Sequence, residues 1–524
     1  MVKRILFGLI ALILLSPVVT AATPEKPLEK PAEKAAEKPA ADAAKKEPPK
    51  PEQSVTQHTV SIGGVPVNYT ATAGLFIVKN EKDEPWASIG YTAYVRRDAG
   101  GPSRRPITFA YNGGPGSSSV WLHMGALGPR RIVTTEAGHT PPPPYQLVDN
   151  SYSILDKTDI VMIDPVGTGY SKAVGEAKDK DFWGVDSDIK SVSRFIKQYV
   201  SENGRWNSPK YLLGESYGST RSGGIADYLQ SKEGMSLNGV ILVSVALDIE
   251  ALFAVPGNDR PYPFFVPTYT ATSWYHKVLP SQPNDLDPLL VEVRAYALGP
   301  YNDALMKGDS LSDAERRAVA EKIHQYTGLS VDYILKANLR VSEGEYAQEL
   351  LREHGETVGR LDSRFLGVTL DRLSKEADYD PQEAAVAAAF TAAFNNYYNE
   401  ELKFGQGKSY EIESGELFKF WEWKHQPPGA PFSNPGFPNT GLDLAHAMTV
   451  NPNLQVLVLN GTYDLATPFL ATEYMMSHLG LDKKLQGNIH MKYYPAGHMM
   501  YVNEPSLKAF KADVAAFIES TDRL

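Results

Sequence analysis

The stretch Tyr211-Leu212-Leu213-Gly214-Glu215-Ser216-Tyr217-Gly218-Ser219 decides the fold. Its apolar start predicts a strand, Gly-Glu-Ser-Tyr-Gly predicts a sharp turn, and residues 220–229 predict a helix. Such a turn strains its central residue and exposes the hydroxyl of Ser216. Gly214 and Gly218, two residues away on either side, leave the space that the turn needs. Ser216 is therefore the candidate nucleophile, although a serine in an ordinary glycine-rich turn gives the same five-residue pattern.

The composition is that of a large globular protein. The chain has 524 residues, of which 42% are apolar, enough for an extensive core and for more than one structural unit. Its formal net charge of -10 argues against a nucleic acid as a partner. The sequence contains no cysteine, which excludes disulfides and thiolate metal sites.

The N-terminal segment is predicted to direct export. Residues 1–22 combine a basic start, an apolar run and small residues, which is the layout of a signal peptide. The apolar run is short for a membrane span, and an uncleaved N-terminal anchor is the alternative. Residues 23–53 are rich in Pro, Glu, Lys and Ala and predict a disordered linker. We therefore expect an exported protein, periplasmic or secreted, with no stable membrane span after signal cleavage.

The apolar segments predict a mostly parallel central sheet. Short alternating runs between residues 58 and 97 predict antiparallel edge strands. Further along, fully apolar runs alternate with helical patterns, as expected for parallel strands that helices cover on both faces. These apolar runs are residues 107–111, 160–164, 211–213, 240–245 and 454–460.

The sequence pattern changes between the last two of these apolar runs. Residues 252–440 are charged and mostly helical in pattern, and they predict an inserted, mainly helical cap over the carboxyl edge of the sheet. The aromatic stretches of this segment are expected to form the core of the cap rather than a substrate pocket. Residues 54–251 and 441–524 would then be the two parts of the core. The predicted class is α/β, with the α/β-hydrolase fold.

A glycine-rich loop, Asn112-Gly113-Gly114-Pro115-Gly116, follows the predicted strand at residues 107–111. In α/β-hydrolases, a loop after an early strand gives one N–H group of the oxyanion hole, and the residue after the nucleophile gives the other. We therefore assign the oxyanion hole to Gly114 and Tyr217. A phosphate-binding loop is the alternative, but the sequence here lacks the GxxxxGK[ST] pattern.

Ser216, Asp464 and His498 follow the order nucleophile, acid, base that is typical of α/β-hydrolases. Each is expected just past the C-terminal end of a strand, at the edge where open α/β sheets build their sites. His498 would take the proton of the Ser216 hydroxyl, while Asp464 would orient the imidazole and stabilise its charged form. The sequence has no HExxH motif, and this chemistry needs no metal ion or cofactor.

Four motifs together resemble those of the serine carboxypeptidase family, in an exported bacterial member. They are the Asn-Gly-Gly-Pro-Gly-Ser-Ser loop from Asn112, Asp-Pro-Val-Gly-Thr-Gly-Tyr-Ser from Asp164, Gly-Glu-Ser-Tyr-Gly around Ser216 and Ala-Gly-His ending at His498. The resemblance implies an enzyme that releases the last residue of a peptide substrate through an acyl-enzyme on Ser216. It also implies that Asn112, Gly113 and Glu215 bind the terminal carboxylate of that peptide.

Glu215 has to be protonated in this role, because a carboxylate cannot donate a hydrogen bond to a second carboxylate. We therefore expect activity on peptides to favour acid pH. The sequence departs from the family pattern nearby: Ala110 stands where the family has Trp, Gly125 and Ala126 replace an acidic pair, and Ser117 replaces a Cys. In the family, the Trp and the acidic pair help to hold the terminal carboxylate.

Two other functions stay open on these residues. An esterase or acyltransferase would use the same triad and oxyanion hole on a different acyl substrate. A non-catalytic envelope-binding protein, tethered by the linker, is the remote alternative from another class.

Overall fold

The computed structural model describes residues 50–101 and 104–522 of the chain. The predicted signal peptide and nearly all of the predicted linker lie outside the described residues. The first strand begins at Glu52. The last two residues of the predicted linker, Glu52 and Gln53, are therefore part of the folded domain, because they pair with Leu75 and Gly74 on the next strand.

Fourteen strands occur in the described residues. Their bounds are β1 Glu52–Ile62, β2 Val65–Lys79, β3 Pro85–Arg96, β4 Ile107–Tyr111, β5 Arg130–Ile132, β6 Leu147–Asp149, β7 Asp159–Ile163, β8 Lys172–Ala173, β9 Lys210–Ser216, β10 Gly239–Val245, β11 Glu356–Val358, β12 Leu366–Val368, β13 Gln455–Gly461 and β14 Ile489–Tyr494.

Ten of these strands form one central sheet in the order β1-β2-β3-β7-β4-β9-β10-β13-β14, with β8 paired to β3. The strands β1, β2 and β3 are antiparallel to one another, and β3 is antiparallel to β7. From β7 to β14 every neighbouring pair is parallel. The predicted antiparallel edge and parallel centre are both confirmed, and β9, which carries the candidate nucleophile, lies near the middle.

Fifteen α-helices occur in the same described residues. Their bounds are α1 Val120–Leu122, α2 Val185–Glu202, α3 Tyr217–Glu233, α4 Pro261–Tyr275, α5 Leu286–Tyr296, α6 Asn302–Lys307, α7 Asp313–Thr327, α8 Val331–Lys336, α9 Glu343–Glu349, α10 Pro381–Asn396, α11 Gly415–Lys419, α12 Gly441–Val450, α13 Phe469–Ser477, α14 Lys483–Gln486 and α15 Glu504–Thr521. None of them is long and apolar enough to cross a membrane.

Helices cover both faces of the sheet, as the apolar strands predict. β4, β7 and β10 are buried along their whole length. Alternate side chains of these strands enter two separate apolar clusters: Phe109 and Val161 contribute to one, and Ala110 and Ile160 contribute to the other. A strand that must bury both faces reads as a continuous apolar run, and this explains the sequence pattern.

The segment between β10 and β13 is mainly helical and contains α4 to α12 and the β11–β12 hairpin. Its helices begin with the local signals that the sequence contains: Ser312 with Glu315, and Ser342 with Glu345, form capping boxes at α7 and α9. The described residues make up one compact unit. The limits of the cap, residues 252–440, stay a prediction.

Arg221, in the first turns of α3, joins three elements beneath the edge of the sheet. Its side chain is 1% exposed. Nε donates to Asp188 Oδ2 on α2 at 2.7 Å, and Nη1 donates to the carbonyl oxygen of Asn112 after β4 at 2.7 Å. The guanidinium also lies over the rings of Tyr111 and Tyr217. A buried cation with a carboxylate, a carbonyl and two aromatic faces fixes the positions of these elements relative to one another.

Replacing Arg221 by Met is expected to lower the free energy of unfolding by about 3–5 kcal/mol, because the Asp188 carboxylate would stay buried without its cation. Urea unfolding followed by circular dichroism measures the change. Arg317→Met, at an exposed position of α7, is the matched control and should change stability by less than about 0.5 kcal/mol. A loss for Arg221→Met no larger than that of the control would contradict the assigned role.

Candidate active site

The backbone at Ser216 has the strained geometry that the sequence predicts. Ser216 is the last residue of β9, with φ 59° and ψ -127°. Helix α3 begins at the next residue, three residues earlier than the sequence pattern indicates. A Cβ atom on Gly214 would lie only 2.1 Å from the carbonyl oxygen of Gly218, so the turn excludes any larger residue there. The turn directs the hydroxyl into a cavity at the carboxyl edge of the sheet.

The glycine-rich loop lies directly against this turn. A Cβ atom on Gly113 would lie 2.4 Å from the backbone nitrogen of Tyr217 and 2.9 Å from Cβ of Ser216. Gly114 has a φ of 103°, which is readily accessible only to glycine. Tyr217 is the first residue of α3, where backbone N–H groups have no partner within the helix. The structure therefore brings Gly114 and Tyr217 to the mouth of the same cavity as Ser216, as an oxyanion hole requires.

The predicted acid and base form a hydrogen-bonded pair. His498 Nδ1 lies 2.8 Å from Asp464 Oδ2, and both side chains are buried. Asp464 Oδ1 accepts from the backbone N–H groups of Ala466 and Thr467, and the Thr467 hydroxyl donates to Oδ2 at 2.6 Å. Burial lowers the pKa of His498, but the Asp464 carboxylate raises it by more, so the pKa lies above its usual value. This is the electrostatic arrangement of a histidine that stabilises a positive charge during proton transfer.

The backbone of His498 is held from two sides. Its N–H group donates to the carbonyl oxygen of Leu361 at 2.6 Å, and its carbonyl oxygen accepts from the Ser244 hydroxyl at 2.7 Å. Ser244, itself at a φ of 52°, is at the end of β10, next to the nucleophile strand. His498 and Ser216 line the same cavity.

Glu215 and Asn112 form a second polar group beside the nucleophile. Asn112 Nδ2 donates to Glu215 Oε1 at 2.8 Å, and Asn112 Oδ1 accepts from the backbone N–H of Leu122 at 3.0 Å. Glu215 is 3% exposed, and its Oε2 has no hydrogen-bond partner among the described residues. Burial raises the pKa of Glu215 to about 7, against the lowering effects of the His498 charge and of hydrogen bonds from Tyr501 and Asn112. Oε2 is therefore placed to carry a proton toward the cavity.

Tyr501 is a member of this group that the sequence motifs do not predict. Its hydroxyl donates to Glu215 Oε1 at 3.2 Å. A Cβ atom on Gly125 would lie 2.5 Å from the Tyr501 ring, so the ring occupies the space beside that glycine. The replacement of the family's acidic pair at Gly125 and Ala126 thus makes room for an aromatic hydroxyl that contacts the same glutamate.

The Asp-Pro-Val-Gly-Thr-Gly motif positions the oxyanion loop. Asp164 Oδ1 accepts from the backbone N–H of Ser119 at 2.9 Å and from its hydroxyl at 2.8 Å. A third bond comes from the Tyr410 hydroxyl at 3.1 Å. Asp164 is buried and follows β7 directly. The motif therefore anchors the far end of the loop rather than contacting a substrate.

The cavity has a volume of about 420 Å³. Phe418 and Trp423 line it, so for these two residues the expectation that the aromatic stretches form cap core is wrong. It holds for Phe264 and Phe265, which are buried. The segment near residue 420 is distant from the site in sequence, and the fold brings it over the site. There Trp421 packs edge-on against Tyr217 with 5.4 Å between ring centroids.

Metal chemistry finds no support in the part of the chain that the structure describes. No group of three or more His, Asp or Glu side chains in residues 50–101 and 104–522 could hold a metal ion. The candidate site consists of a serine, a histidine, carboxyl groups and backbone N–H groups.

A comparison with protein families decides what kind of site this is. Residues 66–244 match the model of the family described as serine carboxypeptidase, and this part of the chain therefore carries the pattern of that family. The matched segment contains the oxyanion loop, the Asp164 motif and Ser216, while Asp464 and His498 follow it in the chain. The match confirms the predicted resemblance and identifies a serine hydrolase.

A solved structure shows the same fold. The protein is similar to KEX1(DELTA)P, a prohormone-processing carboxypeptidase from Saccharomyces cerevisiae, with a TM-score of 0.57 and 14% identity over 89% of this chain and 96% of that chain. A proline iminopeptidase from Mycobacterium smegmatis matches with a TM-score of 0.34 and 13% identity over 89% of this chain and 99% of that chain. The match to the carboxypeptidase structure, together with the mostly parallel central sheet, confirms the predicted α/β-hydrolase fold. A search of curated proteins found no match.

The state of Glu215 predicts how activity on peptides depends on pH. A protonated Glu215 can donate to a substrate carboxylate, and this form is lost as pH rises through about 7. We expect kcat/KM for peptides with a free C-terminus to fall above that pH, and Glu215→Gln to remove this fall, because an amide donates at every pH.

The pH profile of an ester that has no free carboxylate is the control for this measurement, since only the His498 limb should appear in it. A Glu215→Gln enzyme that keeps the same alkaline fall on free-acid peptides would contradict the assignment to Glu215.

Proposed function

We propose that the protein is a serine carboxypeptidase that releases C-terminal amino acids from peptides. The observation that carries this proposal is made at Glu215. This residue lines the cavity next to Ser216, and its buried Oε2 has no partner among the described residues. An enzyme that only needed a triad and an oxyanion hole would have no use for a costly buried carboxyl group at that point. A free substrate carboxylate at this place would accept hydrogen bonds from protonated Glu215 and from Asn112.

The reaction follows from the positions of the side chains. His498 removes the proton of the Ser216 hydroxyl, and Oγ attacks the carbonyl carbon of the last peptide bond. The N–H groups of Gly114 and Tyr217 stabilise the negative oxygen of the tetrahedral intermediate. His498 then gives the proton to the departing amino nitrogen, and the bond breaks to leave an acyl-enzyme. Water, deprotonated by His498, then attacks the acyl carbon. The bond from that carbon to Oγ breaks, His498 returns the proton to Oγ of Ser216, and the shortened peptide leaves with a new carboxylate.

An esterase or acyltransferase with the same triad is the second candidate. The observation that favours it is the change at Gly125 and Ala126, which removes the acidic pair that the family uses near the terminal carboxylate. The hydrogen bond from the Tyr501 hydroxyl to Glu215 supports the carboxypeptidase instead. The hydroxyl can both donate and accept a hydrogen bond, so a polar group remains beside Glu215 although the acidic pair is absent. A protein that only binds envelope components would not need His498 paired to Asp464 beside the serine.

Matched peptides test the proposal. Peptides with free C-termini and the same peptides with amidated C-termini are incubated with the full-length protein, and mass spectrometry detects the loss of single terminal residues. We expect the free-acid peptides alone to be shortened, because only they offer a carboxylate to Asn112 and Glu215. Ser216→Ala is the control and should leave all peptides intact.

Two outcomes would count against a carboxypeptidase. Equal cleavage of free and amidated peptides would remove the assigned role of Asn112 and Glu215. Intact peptides, together with hydrolysis of simple esters that depends on Ser216, would favour the esterase or acyltransferase.

We also propose that the protein is exported, to the periplasm or beyond the cell, with peptides as its substrates and no nucleic acid as a partner. The basic start, apolar run and small residues of positions 1–22 support export, and the net charge of -10 supports the exclusion of nucleic acid. Fractionation of cells that express the full chain should place the protein outside the cytoplasm, with an N-terminus near residue 22. Retention in the cytoplasm with Met1 intact would contradict export.

A further inference from the structure

The loop of the β11–β12 hairpin, residues 359–365, belongs to the inserted segment and yet lies against the acid and the base of the candidate triad. The backbone N–H of Leu465, the residue after the predicted acid, donates to the carbonyl oxygen of Arg360 at 3.0 Å. The backbone N–H of His498 donates to the carbonyl oxygen of Leu361 at 2.6 Å. Two successive carbonyl groups of this hairpin loop therefore bind the two catalytic segments.

Ser363 binds the segment of Asp464 from its other side. The backbone N–H and the hydroxyl of Ser363 both donate to the carbonyl oxygen of Tyr463 at 3.0 Å. Helix α4 supports the serine from behind: the hydroxyl of Thr272 lies 2.6 Å from that of Ser363, and His276 Nε2 donates to the Ser363 carbonyl oxygen at 2.7 Å. The residues before and after Asp464 are thus both bonded to the hairpin loop.

Asp362 binds the segment that leads to His498. Its Oδ2 accepts from the backbone N–H of Gly497 at 3.0 Å, and a Cβ atom on Gly497 would lie only 2.4 Å from Cβ of Asp362. Arg364 donates to both oxygens of this carboxylate, from Nε at 2.9 Å and from Nη2 at 2.6 Å. Its Nη1 donates to the carbonyl oxygen of Pro495 at 2.9 Å. Two side chains of the hairpin loop therefore hold the residues before His498.

The hairpin loop is itself anchored away from the catalytic segments. Asp380, the N-cap of α10, accepts the backbone N–H groups of Arg360 and Leu361 through Oδ2, at 2.6 and 2.8 Å. Asp362 and Ser363 are buried, and neither of them lines the cavity. A buried carboxylate that accepts from a guanidinium and from a backbone N–H has a well-defined position. The hairpin loop can therefore act on the site only through the segments that it binds.

The acid and the base lie after different strands, so their separation depends on how two loops are held. Asp464 follows β13 and His498 follows β14, and these strands are parallel neighbours. The two loops bond to each other where the backbone N–H of Tyr463 donates to the carbonyl oxygen of Ala496 at 3.0 Å. A displacement of about 1 Å between catalytic groups can lower a rate about 100-fold. An element bonded to both loops limits such a displacement.

We propose that the loop of the β11–β12 hairpin is a positioning element for the catalytic pair, with Asp362 as the positioning residue for His498 and Ser363 as that for Asp464. The inference rests on the proposed mechanism of the triad. It holds for peptides and esters alike, because neither positioning residue contacts the groups that bind the terminal carboxylate. The inserted segment thus contributes to the chemical step as well as to the cover of the cavity.

The rate at which a fluorophosphonate labels Ser216 of the full-length protein, measured against pH, tests the inference. Labelling needs neutral His498 as the base, so the rate falls as pH drops through the pKa of His498. Burial lowers this pKa. Among the charged groups that face His498, Asp464 raises the pKa most, Glu215 raises it less and Arg360 lowers it. The midpoint of the labelling profile therefore reports how closely the acid and the base are held.

Asp362→Asn is the first variant. An amide nitrogen replaces one carboxylate oxygen and cannot accept, so the side chain cannot serve both Gly497 and Arg364. His498 is then held less closely to Asp464, and we expect the labelling midpoint to move to lower pH by about half a pH unit. For a simple ester, kcat should fall about tenfold while KM changes less than about twofold, because the cavity lining is unchanged.

Asp159→Asn is the matched control. The Asp159 carboxylate is also buried, and it accepts from the backbone N–H of Arg96 at 3.0 Å and from Arg105 Nε at 2.7 Å. Asp159 is the first residue of β7, at the edge of the sheet opposite the active site. Its substitution should lower stability in a similar way but leave the labelling midpoint and the kcat for the ester at their wild-type values.

Ser363→Ala is a milder second variant, since it keeps every charge and removes one of the two hydrogen bonds to Tyr463. We expect a shift of the midpoint in the same direction as for Asp362→Asn, but smaller. If Asp362→Asn does not fold, Ser363→Ala decides.

Three outcomes overturn the inference. The first is a folded Asp362→Asn enzyme, or in its absence a Ser363→Ala enzyme, with the wild-type midpoint and kcat. The second is an equal shift in Asp159→Asn, because the effect would then follow from lost stability. In both cases the proposed function stands. In the third outcome, Ser216 of the wild-type protein is not labelled, so the proposed mechanism itself fails and the inference fails with it.

Discussion

The backbone of Ser216 is held at a φ of 59°, and the other parts of the site take their positions from this one strained residue. An L-residue adopts such a conformation only where its surroundings determine it. β9 is fixed between β4 and β10 in the middle of the sheet, and α3 begins at the next residue. One turn into α3, Arg221 bonds to the carbonyl oxygen of Asn112. The turn that exposes the nucleophile thus also fixes the loop that provides the oxyanion hole.

The second constraint is electrostatic. Glu215 precedes the nucleophile, so the same turn that exposes Ser216 buries the glutamate side chain. Burial in a site of low polarity disfavours the charged form, and Asn112 and Tyr501 share one oxygen, Oε1, while Oε2 is left to the cavity. A residue adjacent to the nucleophile thereby becomes a proton donor near neutral pH. The role in carboxylate binding proposed for Glu215 thus depends on the same turn that exposes Ser216.

The sequence predicts the triad, the oxyanion loop and the mostly parallel central sheet because each depends on local signals. Parallel strands place their carboxyl ends at one edge, so residues that follow β9, β13 and β14 meet although they are far apart in the chain. Arg221 and Tyr501 could not be found in this way. They lie outside the short motifs, and their contacts depend on how α3 and the residues before α15 pack. Gly125 illustrates the limit. The sequence shows only that an acidic residue of the family is missing at this position, whereas the structure shows that the glycine leaves the space that the Tyr501 ring occupies.

Residues 411–425 form the roof of the cavity. They are joined to the core mainly through backbone hydrogen bonds, and these bonds fix where the side chains of the segment lie. Gly169 and Glu411 exchange two hydrogen bonds, and Glu422 accepts from Val185 and donates to Trp183. At the far end, His425 lies between Asp186 and Asp443, whose carboxylates raise its pKa to about 9 against the effect of burial. The segment from 411 to 425 is thus fixed at both ends. The positions of Phe418 and Trp423, which line the cavity, follow from these contacts.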